Sequence, residues 1–209
     1  MAAYIAVAVI AYLIGSINFS VIISTRMAGF DLREKGSGNA GTTNVLRTVG
    51  KKAAAITLIC DILKGVISIL IAKLISNIWQ DLDGALLVQL AGIFVVIGHT
   101  FPVFFKFKGG KGVATSLGVL LTLNWQIGLI CLVFALVLIA LTRMVSVGSI
   151  AAAILYPVLT IFISQNYIVP GSYIISSIIL AVLIVFNHRS NVKRLLTGTE
   201  NKISFKTTK

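Results

Sequence analysis

Residues 98–115, GHTFPVFFKFKGGKGVAT, are a polar interruption between two strongly apolar runs of the chain. They contain one of the two histidines, three lysines and four glycines. Glycines let successive backbone N–H groups converge on an anion, and lysines supply the opposite charge. The interruption therefore predicts a phosphate site at a membrane surface, between two membrane-spanning helices.

Composition places the chain in the membrane. Of its 209 residues, 57% are hydrophobic and 11% are charged, whereas a soluble domain carries about 25% charged residues. The apolar runs are continuous and show no alternation with period two, which argues against a transmembrane β-barrel. The sequence thus predicts an all-α, polytopic membrane bundle that forms a single domain over residues 1–209.

The net charge of +12 is concentrated in short loops between the apolar runs, which is the positive-inside pattern of membrane proteins. This distribution argues against a nucleic-acid partner. Cys60 and Cys131 lie inside apolar segments without the spacing of metal ligands, so we expect neither a disulfide nor a metal site.

The apolar runs predict single crossings over residues 1–25, 53–78, 85–105, 146–164 and 172–186. Residues 112–142 would make one helix of roughly 46 Å, too long for one crossing, whereas two crossings need about 40 residues. Asn124-Trp125-Gln126 interrupts this stretch, so we expect a short half-depth or tilted helix followed by a longer one. Seven crossings fit best, and five are the alternative if residues 112–186 cross only twice.

The charges of the connecting loops predict the orientation. Residues 26–52 contain six basic side chains against two acidic ones, whereas residues 77–84, NIWQDLDG, contain two aspartates and no cation. The positive-inside rule then leaves the N-terminus outside and the C-terminus in the cytoplasm. Residues 35–52, 98–115 and 187–202 consequently face the same compartment and can form one site.

The first of these segments, KGSGNAGTTNVLRTVGKK (residues 35–52), combines glycines with hydrogen-bonding side chains. Gly38 and Gly41 permit a close approach of the backbone to a ligand. The polar side chains are Ser37, Asn39 and Asn44. Arg47 lies three residues beyond Asn44 and would share its face of a helix, where a guanidinium suits bidentate phosphate binding. A flexible polar loop with a basic flank is the alternative.

The central segment does not match a nucleotide-binding P-loop. That motif needs Gly five residues before the Gly-Lys pair and Ser or Thr directly after the Lys, and these positions hold Phe105 and Gly112. The run Gly109-Gly110-Lys111-Gly112 still fits an anion nest at the N-terminus of the following helix. The alternative is a positive-inside anchor with a glycine turn.

The titratable side chains give no familiar catalytic set. Neither His99 nor His188 is followed by a carboxylate four or five residues on, so the His-x4-Asp arrangement of many acyltransferases is missing. Asp61 and Lys64 are three residues apart within the second span, and we expect a structural ion pair that neutralises both charges. No Ser–His–Asp triad and no aspartate-rich metal motif can be assembled from the sequence.

Three motifs stand in order along the chain. They are SGNAGTTNVLR at residues 37–47, GHTFP with FKGGKGVAT within residues 98–115, and HRSNVKRL with GTENK within residues 188–202. Together they resemble the bacterial PlsY family of membrane acyl-phosphate:glycerol-3-phosphate acyltransferases. The resemblance covers the whole chain in length, topology and motif order.

The resemblance implies transfer of an acyl chain from acyl-phosphate to the 1-hydroxyl of glycerol-3-phosphate, which gives lysophosphatidic acid and phosphate in phospholipid biosynthesis. It implies a multi-pass enzyme of the bacterial cytoplasmic membrane without a cofactor, whose site faces the cytoplasm and meets membrane lipid. An enzyme that produces acyl-phosphate would be its functional partner. Because acyl-phosphate is an activated mixed anhydride, positioning and charge neutralisation could supply most of the rate.

For this substrate pair, the resemblance implies catalytic roles for Ser37, Asn39, Lys111, His188 and Asn191. Binding of substrate phosphate is implied for Gly38, Gly41, Asn44, Arg47, His99, Lys106, Gly109, Gly110, Gly112, Asn187 and Arg194. Within this set, we expect His188, Asn191 and Asn187 to orient the glycerol hydroxyl or the attacked carbonyl. Ser146 is a further candidate, because it opens a helix that faces the same compartment.

Two other function classes fit these residues less well. A channel or transporter for an organic anion would need polar residues along several spans, and the spans are apolar apart from Asp61, Lys64, Lys73 and a few hydroxyl and amide side chains. A membrane phosphotransferase that acts on a nucleotide-linked lipid would need an aspartate cluster, which the sequence lacks.

Overall fold

The computed structural model describes residues 1–166 and 170–203, and within these ranges it contains helices and turns but no strand. The all-α prediction is confirmed. The helices are α1 (Ala2–Gly15), α2 (Phe19–Ala28), α3 (Thr42–Thr48), α4 (Lys51–Ile78), α5 (Gly84–Thr100), α6 (Val113–Leu123), α7 (Trp125–Thr142), α8 (Val145–Asn166), α9 (Gly171–Asn187) and α10 (Arg189–Leu196). Short 3-10 turns occupy Leu32–Glu34 and Val103–Phe105.

Five helical segments in the described ranges are long and apolar enough to cross a membrane. They are Ala2–Ala28, Lys51–Ile78, Gly84–Phe105, Trp125–Thr142 and Val145–Ile163. Helices α9 and α10 meet at a bend of 58°, and together they form a sixth candidate span. The chain is therefore a multi-pass membrane protein, while its crossing number and its orientation stay predictions.

The expected division of residues 112–142 is present. Helix α6 has 11 residues and a length of roughly 16 Å, which is about half of a hydrocarbon core. Asn124 then caps α7, because its Oδ1 accepts a hydrogen bond of 3.1 Å from the N–H of Ile127. The amide side chain thus ends one helix and begins the next.

The first span differs from the continuous helix expected over residues 1–25. Helix α1 ends at Gly15, and Asn18 caps α2 through a hydrogen bond of 3.3 Å from the N–H of Val21 to its Oδ1. Lys64 of α4 donates to the carbonyls freed by the break, at 3.1 Å from Gly15 O and 3.2 Å from Ile17 O. A side chain from another helix therefore stabilises this interruption.

The expected ion pair in the second span is confirmed. Lys64 Nζ lies 3.0 Å from Asp61 Oδ1, and both side chains are 2% exposed. His99, near the end of α5, joins the pair, with its Nδ1 2.8 Å from Lys64 Nζ. The cluster links α4 to α5 and to the break after α1.

Glycines bring the helices around this cluster into close contact. A Cβ atom on Gly15 or Gly98 would overlap the facing backbone across the α1–α5 contact. Gly65 and Gly118 have the same role between α4 and α6. Small residues commonly allow such close packing of membrane helices. This packing fixes the end of α5, from which the central loop starts.

Candidate active site

The central loop folds back on the end of α5. The N–H of Gly109 donates to Thr100 O and the N–H of Gly110 donates to His99 O, each at 3.1 Å. A Cβ on either glycine would overlap these same carbonyls or the His99 ring, so the close approach requires glycine. Gly112 has φ of +85° and precedes α6. The loop thereby presents Lys111 directly before the N-terminus of a helix.

The buried side chain of Asn44 forms hydrogen bonds to the backbone of the first loop. Its Oδ1 accepts a 3.0 Å hydrogen bond from the N–H of Ser37, and its Nδ2 donates to Lys35 O and Asn39 O at 3.0 and 3.1 Å. The side chain is buried. Asn44 therefore shapes the loop, which differs from the phosphate contact expected of it.

Part of the first loop is exposed. Ser37 and Gly38 are exposed, Asn39 is half-buried, and Gly41 precedes α3. Ala40 O of this loop lies against Gly110 of the central loop, and Arg33 Nη1, just before the first loop, donates to Phe105 O at 2.7 Å. The first two of the three polar segments thus form a continuous surface.

The third segment reaches the same place through Asn191 of α10. Asn191 Oδ1 accepts a short hydrogen bond from Lys111 Nζ, and Asn191 Nδ2 donates to Glu200 Oε1 at 2.7 Å. Glu200 Oε1 also accepts from Ser146 Oγ at 3.0 Å, and Glu200 Oε2 pairs with Arg194 Nε at 2.9 Å. One carboxylate therefore connects Asn191, Ser146 and Arg194 behind Lys111.

Helix α9 contributes two further site residues at its end. Asn187 Nδ2 donates to Thr100 Oγ1 at 3.3 Å, which fixes α9 to the end of α5. His188 is buried at the bend before α10, with its Nδ1 2.8 Å from Ile184 O. Because a carbonyl oxygen only accepts, Nδ1 carries the hydrogen and Nε2 keeps its lone pair.

The pKa values in this site are shifted. Burial and the positive charges of Arg194 and Arg47 together lower the pKa of Lys111 to about 8, although the negative charge of Glu200 acts in the opposite direction. Burial likewise lowers the pKa of His188 to about 4, so the ring is neutral at pH 7. Burial raises the pKa of Glu200, but hydrogen bonds from Asn191, Ser146 and Arg194 outweigh burial, and the net pKa is lowered. Glu200 is an anion at neutral pH.

Some of the expected site residues lie together in the structure, whereas others lie apart from them. Lys111, His188, Asn191, Arg194 and Ser146 lie in or beside one hydrogen-bonded cluster. Arg47 is exposed on α3, and its charge acts on Lys111. Lys106 is exposed at the outer turn of the central loop, with φ of +57°. His99 is buried under the turn that carries Gly110, not at its surface.

Two participants were not among the expected site residues. Glu200 holds Asn191 and Arg194, and Thr100 holds Asn187. For Glu200 the sequence carries a signal, since it is an acidic residue within a strongly basic tail, where an internal partner is expected. Thr100 has no comparable signal, because its role depends on where α9 ends.

Comparison with known proteins points to one family. A family model described as "Glycerol-3-phosphate acyltransferase" matches residues 5–198. The glycerol-3-phosphate acyltransferase of Clostridioides difficile (strain 630) is 45% identical over 203 residues and covers 97% of both chains. That of Thermoanaerobacter sp. (strain X514) is 50% identical and covers 96% of both chains.

Solved structures agree with these sequences. The crystal structure of PlsY (YgiH), an integral membrane glycerol 3-phosphate acyltransferase, in its glycerol 3-phosphate form, matches with a TM-score of 0.85 and 39% identity over 96% of both chains. The lysophosphatidic acid form of PlsY matches with a TM-score of 0.82 and 37% identity. The chain thus belongs to the glycerol-3-phosphate acyltransferase family, as the three motifs predicted.

Proposed function

We propose that this protein transfers an acyl group from acyl-phosphate to the 1-hydroxyl of glycerol-3-phosphate, in the bacterial cytoplasmic membrane and on its cytoplasmic face. The observation that carries the proposal is the position of Lys111, a largely buried ammonium that Asn191 holds where the three polar segments meet. Glycerol-3-phosphate as acceptor is supported by the names of the relatives. An enzyme that makes acyl-phosphate would supply the donor.

The cations around Lys111 suit phosphate. Arg47 and Arg194 lie close enough for their charges to lower the pKa of Lys111, so several positive charges converge on one place. A bound phosphate would relieve this repulsion. Ser37, Gly38 and Asn39 add hydrogen-bonding groups from the first loop, and the N-terminus of α6 adds the positive end of a helix dipole. Lys106, exposed at the outer turn, is the residue that would meet a second phosphate.

In this proposal the acceptor hydroxyl lies next to His188. The neutral ring offers Nε2 as a hydrogen-bond acceptor, which would orient the 1-hydroxyl toward the donor carbonyl. The hydroxyl oxygen bonds to the carbonyl carbon, and the bond from that carbon to the phosphate oxygen breaks. The departing phosphate keeps the electron pair, and the hydroxyl proton leaves its hydrogen bond to Nε2 and passes to an oxygen of that phosphate. Lys111 stabilises the negative charge that develops during this exchange.

An apolar cavity of about 80 Å³ lies between α6, α7, α8 and α9, and we propose that it holds a few methylene groups of the donor's acyl chain. Three of its lining residues follow or precede site residues closely along the chain: Val113 after Lys111, Ser149 after Ser146, and Ile184 before His188. The half-buried Leu117 and Leu132 leave one side near the bilayer. In this proposal the donor enters from lipid, with its phosphate directed at Lys111.

Donor choice is the first test. Purified protein with labelled glycerol-3-phosphate is supplied with acyl-phosphate, acyl-CoA or acyl-carrier-protein of the same chain length, and labelled lysophosphatidic acid is measured. We expect product from acyl-phosphate alone, because the site supplies charge and position for an already activated donor. Equal or faster product formation from acyl-CoA would refute the donor assignment.

Residue assignment is tested by replacing Lys111 and Ser37 with alanine. We expect each variant to lose acyl transfer by about 100-fold or more, because each removes a group that would hold or neutralise phosphate. Lys193→Ala is the matched control, since Lys193 is an exposed cation of the neighbouring α10. Near-normal rates in both Lys111→Ala and Ser37→Ala would contradict the assignment.

A further inference from the structure

Lys64 is an ammonium enclosed by acceptors inside the bundle. Its Nζ lies 3.1 Å from Gly15 O and 3.2 Å from Ile17 O, and it forms the 3.0 Å ion pair with Asp61. The nearby carboxylate favours the charged form, which has three N–H groups and no lone pair. Every polar atom that contacts Lys64 Nζ must therefore accept a hydrogen bond or be an anion.

This requirement fixes the protonation of His99. His99 Nδ1 lies 2.8 Å from Lys64 Nζ, so Nδ1 has to accept and cannot carry a hydrogen. Asp61 Oδ1, at 3.6 Å from Nδ1, is too far to receive a proper hydrogen bond from it. The hydrogen of the neutral ring consequently belongs on Nε2.

The Nε2 edge of His99 lies at the junction of the first and central loops. A Cβ on Gly110 would overlap His99 Nε2 and would also approach the Ala40 carbonyl at 2.5 Å. The backbone of the same histidine accepts the N–H of Gly110 at 3.1 Å. Ring and backbone thus both support the turn whose next residue is Lys111.

We propose that Lys64 holds His99 in the Nε2–H tautomer, and that this ring positions the Gly110 turn against Ala40 and so places Lys111. Lys64 and His99 are then positioning residues, whose effect reaches the substrate through Lys111. His188 has the opposite arrangement, because the Ile184 carbonyl keeps the hydrogen on its Nδ1. The two histidines of the chain carry their ring hydrogens on different nitrogens.

Nitrogen NMR of the full chain tests this directly. The protein is labelled with ¹⁵N in its two histidine rings and measured in lipid nanodiscs near pH 7, and His188→Gln assigns the signals. We expect one ring protonated on Nδ1 and the other, His99, protonated on Nε2. A His99 ring protonated on Nδ1, or on both nitrogens, overturns the proposal.

The variant Lys64→Met removes the donor but leaves Asp61 as an unpaired buried anion, which can unfold the protein. The double variant Asp61→Asn, Lys64→Met removes both charges together. We expect the double variant to fold with a thermal midpoint below that of the wild type, because Gly15 O and Ile17 O lose their donor, but above that of Lys64→Met. We also expect it to lose the single tautomer of His99 and to show a kcat lower by about tenfold or more. A double variant that keeps the Nε2–H tautomer or the wild-type kcat overturns the proposal.

The activity readout rests on the proposed function, whereas the NMR readout does not. If the wild type fails to use acyl-phosphate, the donor assignment fails while the His99 tautomer is still measured. If the wild type is active and the double variant is equally active, the proposed function stands and the positioning role of Lys64 fails.

Discussion

The ammonium of Lys111 is held in a partly buried position among other cations, and its pKa of about 8 predicts a loss of activity in mild alkali. The charged form predominates below this pH and is lost as the pH rises through it. We expect kcat/KM for glycerol-3-phosphate to fall about tenfold by one pH unit above the pKa of the free enzyme. Steady-state rates from pH 6.5 to 10 measure this profile, and a flat profile would contradict it.

Glu200 offers a second variant for the same profile. Its negative charge raises the pKa of Lys111, so Glu200→Gln is expected to move the alkaline loss of activity to lower pH. The substitution also disturbs the bond to Arg194, and we expect a lower maximal rate. Glu34→Gln, at an exposed acidic residue directly before the first loop, is the control. A shift to higher pH in Glu200→Gln would refute the charge argument.

The role of a residue could be predicted from the sequence where that role depends mainly on the loop that carries the residue. The positive-inside pattern predicted that the three polar segments face one compartment, and the family resemblance singled out Lys111, His188 and Asn191 within them. The structure brings these three residues together. The contacts of Asn44 and His99 could not be predicted, because they depend on which neighbours lie beneath each loop. A buried amide and an exposed amide look alike in a sequence.

At the scale of helices, the two interruptions show what sequence patterns detect. The division after α6 followed from length and from a polar run with a capping Asn124. The division after α1 was missed, because residues 16–18 carry no proline and lie in an otherwise apolar run. Its stabilising group, Lys64, belongs to a different helix. A contact of this kind between two helices leaves no pattern in the sequence around the break.

The cavity between α6 and α9 makes a prediction about donor length. Ala152 of α8 lines the cavity, and Ala152→Leu would fill part of it. Overpacking of about 1.4 kcal/mol corresponds to a tenfold loss, so we expect kcat/KM for a long-chain acyl-phosphate to fall by about that factor, and less for a short-chain donor. The adjacent Ala151, outside the lining, provides Ala151→Leu as the matched control. Equal losses in both variants, or a loss independent of chain length, would argue against acyl binding here.

At the scale of the whole molecule, orientation is the open prediction. Asp81 lies between α4 and α5, and Lys193 lies on α10, so the predicted topology puts them on opposite sides of the membrane. Single cysteines are introduced at these positions in a background that lacks Cys60 and Cys131. We expect a membrane-impermeant thiol reagent to label Asp81→Cys in intact cells, and Lys193→Cys only after permeabilisation. The reverse pattern would invert the topology and move the site to the outer face.

The broken first span ties the insertion of the nascent chain to a later segment. Carbonyl groups left without a donor in hydrocarbon cost several kcal/mol each, and the donor for Gly15 O arrives 49 residues later. Helices α1 and α2 therefore reach their final form only after α4 has been synthesised and has entered the bilayer. The second span is thus needed to complete the first one. A chain truncated before Lys64 would expose helices α1 and α2, without the donor for their free carbonyls, to the insertion machinery and to membrane proteases.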